Sequence, residues 1–248
     1  MSVFKLREFI EKANRIVNFT GAGVSTDSGI PDFRSPDGIW NKFKPINFHD
    51  FLNSEEMRRE TWRRKWNTDK AMENARPNRG HRAIQKLFSQ GKCSSIITQN
   101  IDGLHQASGI PDKNVIELHG NCNYASCIEC GERHELREIF ETFKRDETLP
   151  RCKKCNSPYV KTATISFGQT IPKKVLNAAK IETLACDFIL VLGSSLIVYP
   201  AAGFPLIARE NGAKFVIINR EKTKHDGYAD LVINDEIGET LGDAVNVN

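Results

Sequence analysis

No run of roughly 18 apolar residues occurs in the sequence, so no segment has the length and apolarity of a membrane-crossing helix. The opening Met1-Ser-Val-Phe-Lys-Leu-Arg-Glu-Phe-Ile10 alternates charged and apolar residues and lacks a secretory h-region. A cytoplasmic protein with no membrane partner is therefore expected. Strong charge of one sign is missing too. The 35 Lys and Arg against 31 Asp and Glu leave a formal +4, too mild to argue for nucleic acid. There are no internal repeats and no low-complexity linkers. The seven cysteines are odd in number, which argues against a disulfide framework. What is left is ordinary globular composition, 40% hydrophobic and 27% charged, in 248 residues that suffice for one large domain and a small one.

Four of the cysteines pair as Cys127-x2-Cys130 and Cys152-x2-Cys155, with 21 residues between the pairs. Thiolates two apart in a tight turn share one tetrahedral Zn²⁺, and two such turns complete a Cys₄ site. One structural zinc ion is expected. The competing reading is redox-active thiol pairs. Cys122, five residues before Cys127, does not fit the motif, and Cys93 and Cys186 read as buried small apolar residues.

The densest signal is Phe19-Thr-Gly-Ala-Gly-Val-Ser-Thr-Asp-Ser-Gly-Ile-Pro-Asp-Phe-Arg34. The preceding Arg15-Ile-Val-Asn-Phe-Thr20 reads as a buried strand that stops at glycines able to turn sharply and approach a ligand. Ser25 or Thr26 is expected to cap a short helix whose free N–H groups face a phosphate. This is dinucleotide-site physics, although Thr26 stands where the third glycine of Gly-x-Gly-x-x-Gly belongs. A plain nucleotide loop has no need of the Asp32, Phe33 and Arg34 that follow.

Along the chain, residues 3 to 13 put Val3, Leu6, Phe9, Ile10 and Ala13 on one helical face. Residues 55 to 66 are helix-like and basic, which reads as a solvated face. Pro77-Asn-Arg-Gly-His81 opens a helix whose C-terminal cap Gly91 suits. Further strands are expected at 95–98, 115–118, 188–192, 215–218 and 231–233, an extended segment at 163–169, and helices around 172–185 and from Pro200 to near Gly212. Strands alternating with helices predict an α/β fold, a doubly wound, Rossmann-like parallel sheet with right-handed crossovers. A small zinc-ribbon module and a helical insertion interrupt it. The polar clusters fall after Thr20, Thr98, Leu118, Leu192 and Ile218, at the carboxyl ends of strands where such sheets bind ligands. His119 in that position is the candidate general base.

Gly-Ala-Gly-x-Ser-x-x-Ser-Gly-Ile-Pro-Asp-Phe-Arg resembles the signature of the sirtuins, the NAD-dependent protein deacylases. Thr98-Gln-Asn-Ile-Asp-Gly-Leu-His105, His119-Gly120, Gly193-Ser-Ser195 and Ile218-Asn219 follow in that family's order, so the resemblance spans nearly the whole chain. It implies an NAD-binding domain over 1–36, 77–120 and 162–248. A cofactor loop and helical module would occupy 37–76, and a zinc module 121–161. It also implies that Gly21, Ala22 and Gly23 hold the pyrophosphate by backbone N–H. Ser25, Ile30, Asp32, Phe33 and Arg34 belong to the same cofactor site. Gln99, Asn100, Ile101 and Asp102 serve the nicotinamide and its ribose, and Gly193, Ser194, Ser195 and Asn219 the adenosine end. The catalytic residues would be His119, Asn100 and Asp102. Ile165, Phe167, Gly168 and Val198 would take the acyl-lysine peptide, by strand addition along 165–168 and 196–199.

The reaction so implied starts with attack of the acyl-lysine amide oxygen on C1′ of the nicotinamide ribose, expelling nicotinamide. His119 then deprotonates a ribose hydroxyl, which attacks the resulting imidate, and water completes the reaction to free lysine and O-acyl-ADP-ribose. Three departures bear on substrate choice. Gln169 replaces the family's usual glutamate, Lys161-Thr162 replaces Arg-Pro, and no Tyr-x-x-Arg pair for acidic acyl groups is present. Trp62 and Lys65 have that pair's spacing and are a candidate substitute. Trp40 and Lys222-Thr-Lys-His-Asp226 resemble the chromatin-associated branch. The expected protein is a monomer or weak oligomer acting on acyl-lysine proteins or peptides, without a nucleic-acid partner. The alternatives are an ADP-ribosyltransferase or NAD glycohydrolase using the same cleft, and a zinc-stabilised NAD sensor or nucleic-acid-binding module without turnover.

Overall fold

The computed structural model describes residues 2–32 and 44–248. Its strands, in chain order, are β1 Ile16–Thr20, β2 Cys93–Thr98, β3 Val115–Glu117, β4 Gly120–Cys127, β5 Arg133–His134, β6 Val160–Thr164, β7 Phe188–Leu192, β8 Lys214–Ile218 and β9 Leu231–Ile233. Among the described residues, six of them form one sheet in the order β3-β2-β1-β7-β8-β9. Every neighbouring pair in it is parallel. The chain winds outward from β1 in one direction and from β7 in the other. The order therefore reverses between these two strands, and a crevice opens beyond their carboxyl ends.

The sheet is buried on both faces, which is why β1 and β7 read as continuous apolar runs instead of alternating ones. Phe188, Leu190 and Leu192 pack on one side with Leu6 and Ile10 of helix Ser2–Lys12, Ile84 and Leu87 of helix Arg79–Ser89, and Leu241 of helix Ile237–Val245. Ile189 and Val191 point to the other side, where Ala179 of helix Lys173–Ala185 and Ala208 of helix Phe204–Glu210 cover them. Each such fully buried side chain contributes ~1.5–3 kcal/mol of transfer free energy.

Three local expectations are corrected. No capped α-helix follows β1. Ala22–Val24 and Thr26–Ser28 form single 3₁₀ turns without a side-chain cap, and Thr26 Oγ1 donates to the Gly23 carbonyl instead (3.0 Å). The helix expected to open within 77–81 starts at Arg79, with Asn78 as its N-cap accepting from His81 N–H at 3.2 Å. Pro200 precedes a 3₁₀ turn, Ala201–Gly203, and the α-helix begins only at Phe204. The extended segment at 163–169 ends early. Ser166 to Gln169 is a turn closed by Gln169 N–H to Ser166 O (2.9 Å), with Gly168 at φ +80°.

The antiparallel sheet β5-β4-β6 carries the cysteine module with helix Leu136–Asp146. The helical module, Phe48–Asn53 and Glu55–Met72, shares a core with it. Trp62, buried against Ala125, Cys127 and Phe143, stacks on Trp66 with centroids 5.4 Å apart, and Trp66 meets Phe140 edge-on at 4.7 Å. The basic face of Glu55–Met72 is largely neutralised within the helix. Arg59 pairs with Glu55, Arg63 with Glu56 and Glu60, Arg64 with Glu60, and Lys65 with Asp69. Arg63 also reaches Glu147 of the cysteine module.

Candidate active site

The polar clusters that follow β1, β2, β3, β7 and β8 share one cavity of about 630 Å³. At the strand-order reversal the Gly21-Ala22-Gly23 loop touches the Gly193-Ser194 loop backbone to backbone. A Cβ on Gly21 would lie 2.6 Å from Gly193 O, one on Gly23 2.7 Å from Gly193 Cα, and one on Gly193 2.4 Å from Val24 N. Glycine is required here so that one loop can approach the other. Gly21 N–H donates to Leu192 O (3.0 Å) and Gly23 N–H to Gly193 O (2.9 Å). The expectation that both glycine N–H groups point at a pyrophosphate is thereby corrected, since the protein itself takes them up. Ala22, on the cavity wall, opens its 3₁₀ turn, where an N–H has no partner within the turn.

After β3, the Nδ1 of His119 stands 3.0 Å from the Gln99 carbonyl oxygen. A carbonyl only accepts, so Nδ1 carries the hydrogen and Nε2 keeps its lone pair. Burial lowers the His119 pKa from its ordinary value, and the bond to the Gln99 carbonyl partly opposes this. Gln99 Nε2 donates to Ser194 Oγ at 2.7 Å, tying the end of β2 to the end of β7.

Behind this wall lies a hydrogen-bonded layer. Buried Asn100 donates from Nδ2 to Ser25 Oγ (3.1 Å), and Ser25 donates to Asp102 Oδ2 (2.7 Å). Asp102 Oδ1 accepts from Leu104 N–H (2.9 Å). Asn100 N–H donates to Thr98 Oγ1 (3.0 Å), which Thr20 also reaches (2.8 Å), and Thr20 Oγ1 lies 2.9 Å from His105 Nε2. His81 sits beside His105, ring centroids 5.1 Å apart, and its Nδ1 is 3.1 Å from Asn78 Oδ1. Burial pushes His81 down to about 4, with nearby Asp102 opposing, and drives His105 well below its usual range. Both rings are therefore neutral supports of this layer.

Gly21, Ala22, Gly23, Asp32, Gln99, Asn100, Ile101, His119, Gly193, Ser194, Ser195 and Asn219 line the cavity, together with Ile165, Phe167, Gly168 and Val198. Ser25 and Asp102 do not lie on its wall but form the layer behind, and Ile30 packs with Ala75 and Leu104. Phe33 and Arg34 lie outside the described residues. Strand addition along 165–168 is limited, because Ile165 N–H already donates to His119 O (2.7 Å). Trp62 and Lys65 do not substitute for an acyl clamp. Trp62 is 1% exposed in the shared core, Lys65 is held by Asp69, and neither lines the cavity. Arg220, Glu221 and Glu236 line it without having been singled out for a site, and Arg220 is bidentate to Glu236 at 2.6 and 2.7 Å. Their positions, just after β8 and β9, were the available signal.

Away from the cavity, the Sγ atoms of Cys127, Cys130, Cys152 and Cys155 all lie within 4.8 Å of one another. Cys127–Cys155 and Cys130–Cys152 are 3.6 and 3.5 Å apart. Tetrahedral zinc with bonds of ~2.3 Å sets sulfurs about 3.8 Å apart, so the cluster fits one such ion. All four are free thiols, and Cys122 sits instead against Met72 (3.4 Å).

The profile of the Sir2 family matches residues 21–200. An NAD-dependent protein deacetylase of Rhodopseudomonas palustris is 53% identical over 240 residues, 97% of this chain and 94% of that protein. NAD-dependent protein deacylase 2 of Archaeoglobus fulgidus is 41% identical over 238 residues, 96% of this chain and 92% of its own length. A solved Sir2 structure with a p53 peptide and NAD⁺ superposes with a TM-score of 0.87 at 33% identity, covering 99% of this chain and 98% of that one. A second, with a deacetylated p53 peptide and 3′-O-acetyl ADP-ribose, gives 0.90 at 32% identity and covers both chains fully, at 100%.

Proposed function

The chain belongs to the Sir2 family, and on that premise we propose how its cavity works: NAD lies across the β1/β7 crevice and an acyl-lysine peptide lies against 165–168 and Val198. The protein is an NAD-dependent protein deacylase. The observation that carries the residue assignment is the convergence of His119, Asn100, Gln99 and the two glycine loops on one cavity from four separate strand ends.

NAD would lie in the cavity of about 630 Å³ that both glycine loops line, where their close packing brings the ends of β1 and β7 together. Ala22 N–H, Ser195 and Asn219 would hold its phosphate and adenosine portions, and Gln99, Asn100 and Ile101 its nicotinamide half. When bound, NAD supplies the ribose that receives the acyl group and a nicotinamide leaving group. Asn100 on the wall would hold the ribose end in one orientation, with Asp102 behind it acting through Ser25 and anchored by Leu104 N–H, and so lower the entropic cost of reaching the transition state. His119 Nε2 accepts a proton from a hydroxyl at the wall, and its lowered pKa keeps it a free base near neutral pH. Apolar Ile165, Phe167 and Val198 exclude bulk water from the developing charge.

We assign the parts by the family's pattern: 1–36, 77–120 and 162–248 to binding NAD, 37–76 to the cofactor loop and helical module, and 121–161 to holding zinc. A cytoplasmic setting suits thiolates that must stay reduced to hold a metal. The internally paired cations of Glu55–Met72 favour no nucleic-acid partner. A monomer or weak oligomer completes the reading.

Mass spectrometry of the products from NAD and a panel of acylated peptides tests it. Nicotinamide, O-acyl-ADP-ribose and free lysine should appear together, and only with peptide. Nicotinamide release at the same rate without peptide would instead mark a glycohydrolase, and ADP-ribose on a side chain a transferase.

A further inference from the structure

Lys161 lies in β6 and is 3% exposed, and among the described residues no carboxylate forms an ion pair with it. A buried, unpaired ammonium is costly. Its partners are two backbone carbonyls, Thr162 O at 3.1 Å and Thr164 O at 2.5 Å. These flank Ala163, where the ladder to β4 breaks. Residues 121–124 of β4 lie between the partners of Thr164 and Thr162, opposite Ala163 alone. Gly120 at φ +75° presses against that point, and a Cβ there would lie 2.0 Å from Ala163 O. Burial pushes the Lys161 amine down to about 8. Even a neutral amine keeps two N–H donors, the number that two carbonyls need.

The segment leaving this break is the cavity wall. Thr164, Ile165, Phe167 and Gly168 all line it. Ile165 N–H is bonded to His119 O, and Phe167 O accepts from Phe48 N–H at 2.8 Å. We infer that Lys161 is a positioning residue for the acyl-lysine peptide. By tying the carbonyls on either side of Ala163 it fixes the direction in which β6 delivers residues 165–168 to the cleft. This rests on the reading that the peptide lies along that wall.

The test compares Lys161→Met, Lys161→Arg and, separately, Phe167→Ala, measuring KM for acetyl-peptide, KM for NAD, kcat, zinc content and Tm. Lys161→Met should raise peptide KM roughly tenfold while kcat and NAD KM stay within about twofold, the pattern of lost ground-state binding. Lys161→Arg, which keeps charged donors, should restore the parental value. A methionine variant with parental peptide KM overturns the inference. So does one in which kcat, NAD KM and zinc fall together, since that marks a general structural role. If the methionine variant fails to fold, Lys161→Gln is read by the same criteria. Phe167→Ala examines the underlying reading alone. Raised peptide KM upholds it, whereas an unchanged value removes that reading and this inference with it.

Discussion

Replacing His119 by alanine separates the two halves of the reaction. The ring is held by one hydrogen bond, Nδ1 to the Gln99 carbonyl at 3.0 Å, which leaves Nε2 as the base. Burial lowers its pKa from the ordinary imidazole value, which favours the neutral ring at pH 7. Nearly the full worth of a general base is therefore in use, ~10²–10⁴-fold, or about 3–5 kcal/mol of barrier. His119→Ala should lower lysine release by that factor. It should spare acetyl-peptide-dependent exchange of labelled nicotinamide into NAD, which needs only the first step. Asn100→Ala removes the Nδ2 bond to Ser25 Oγ and loosens the brace on Asp102, so it should depress both assays. The variants are compared at equal zinc content and with intact melting transitions. If His119→Ala deacetylates at the parental rate, or loses exchange as completely as lysine release, the assignment of the base is wrong.

Cys152→Ser should lose zinc and stability together, because three thiolates and a hydroxyl no longer close the shell; metal analysis and thermal unfolding read both. Acetyl-lysine should be turned over with higher kcat/KM than succinyl-lysine on one peptide, since Trp62 is buried in the shared core and Lys65 is paired with Asp69; a succinyl preference would refute this. His81 is neutral in the fold, with a pKa of about 4 against 6.5 unfolded, so the unfolded chain binds more protons between those values and stability falls as pH drops through that window. The loss from pH 7 to pH 5 is about 2 kcal/mol, and denaturant unfolding should show a shallower pH dependence for His81→Gln than for the parent.

Much of this molecule was legible in one dimension. The strand β7, Phe188–Leu192, is an unbroken apolar run because both its faces are covered, and its shortness between turn signals favours a strand over a buried helix. Cys127-x2-Cys130 and Cys152-x2-Cys155 announced their cluster through spacing alone, since tight turns impose it. That His119 lines the cavity could be expected because a polar residue at the carboxyl end of a parallel strand has a fixed place relative to the others. Arg220 and Glu236 follow strands in the same way, but nothing in their neighbours ties them to each other.

What the fold alone decided depends on distance between atoms remote in sequence. Gly21, Gly23 and Gly193 read as a ligand cradle, yet they are also required by one another, because two loops 170 residues apart pack backbone on backbone. Trp62 and Lys65 have the spacing of an acyl clamp, but a helix face is chosen by what packs on it, and here the cysteine module claims Trp62. The bulge opposite Ala163, and the buried amine of Lys161 that bridges it, arise from a register between β4 and β6 that no local propensity encodes. Periodicity and spacing act along the chain and so were fixed before folding. Which surface each element buried, and which donors were left for a ligand, was settled only when distant strands met.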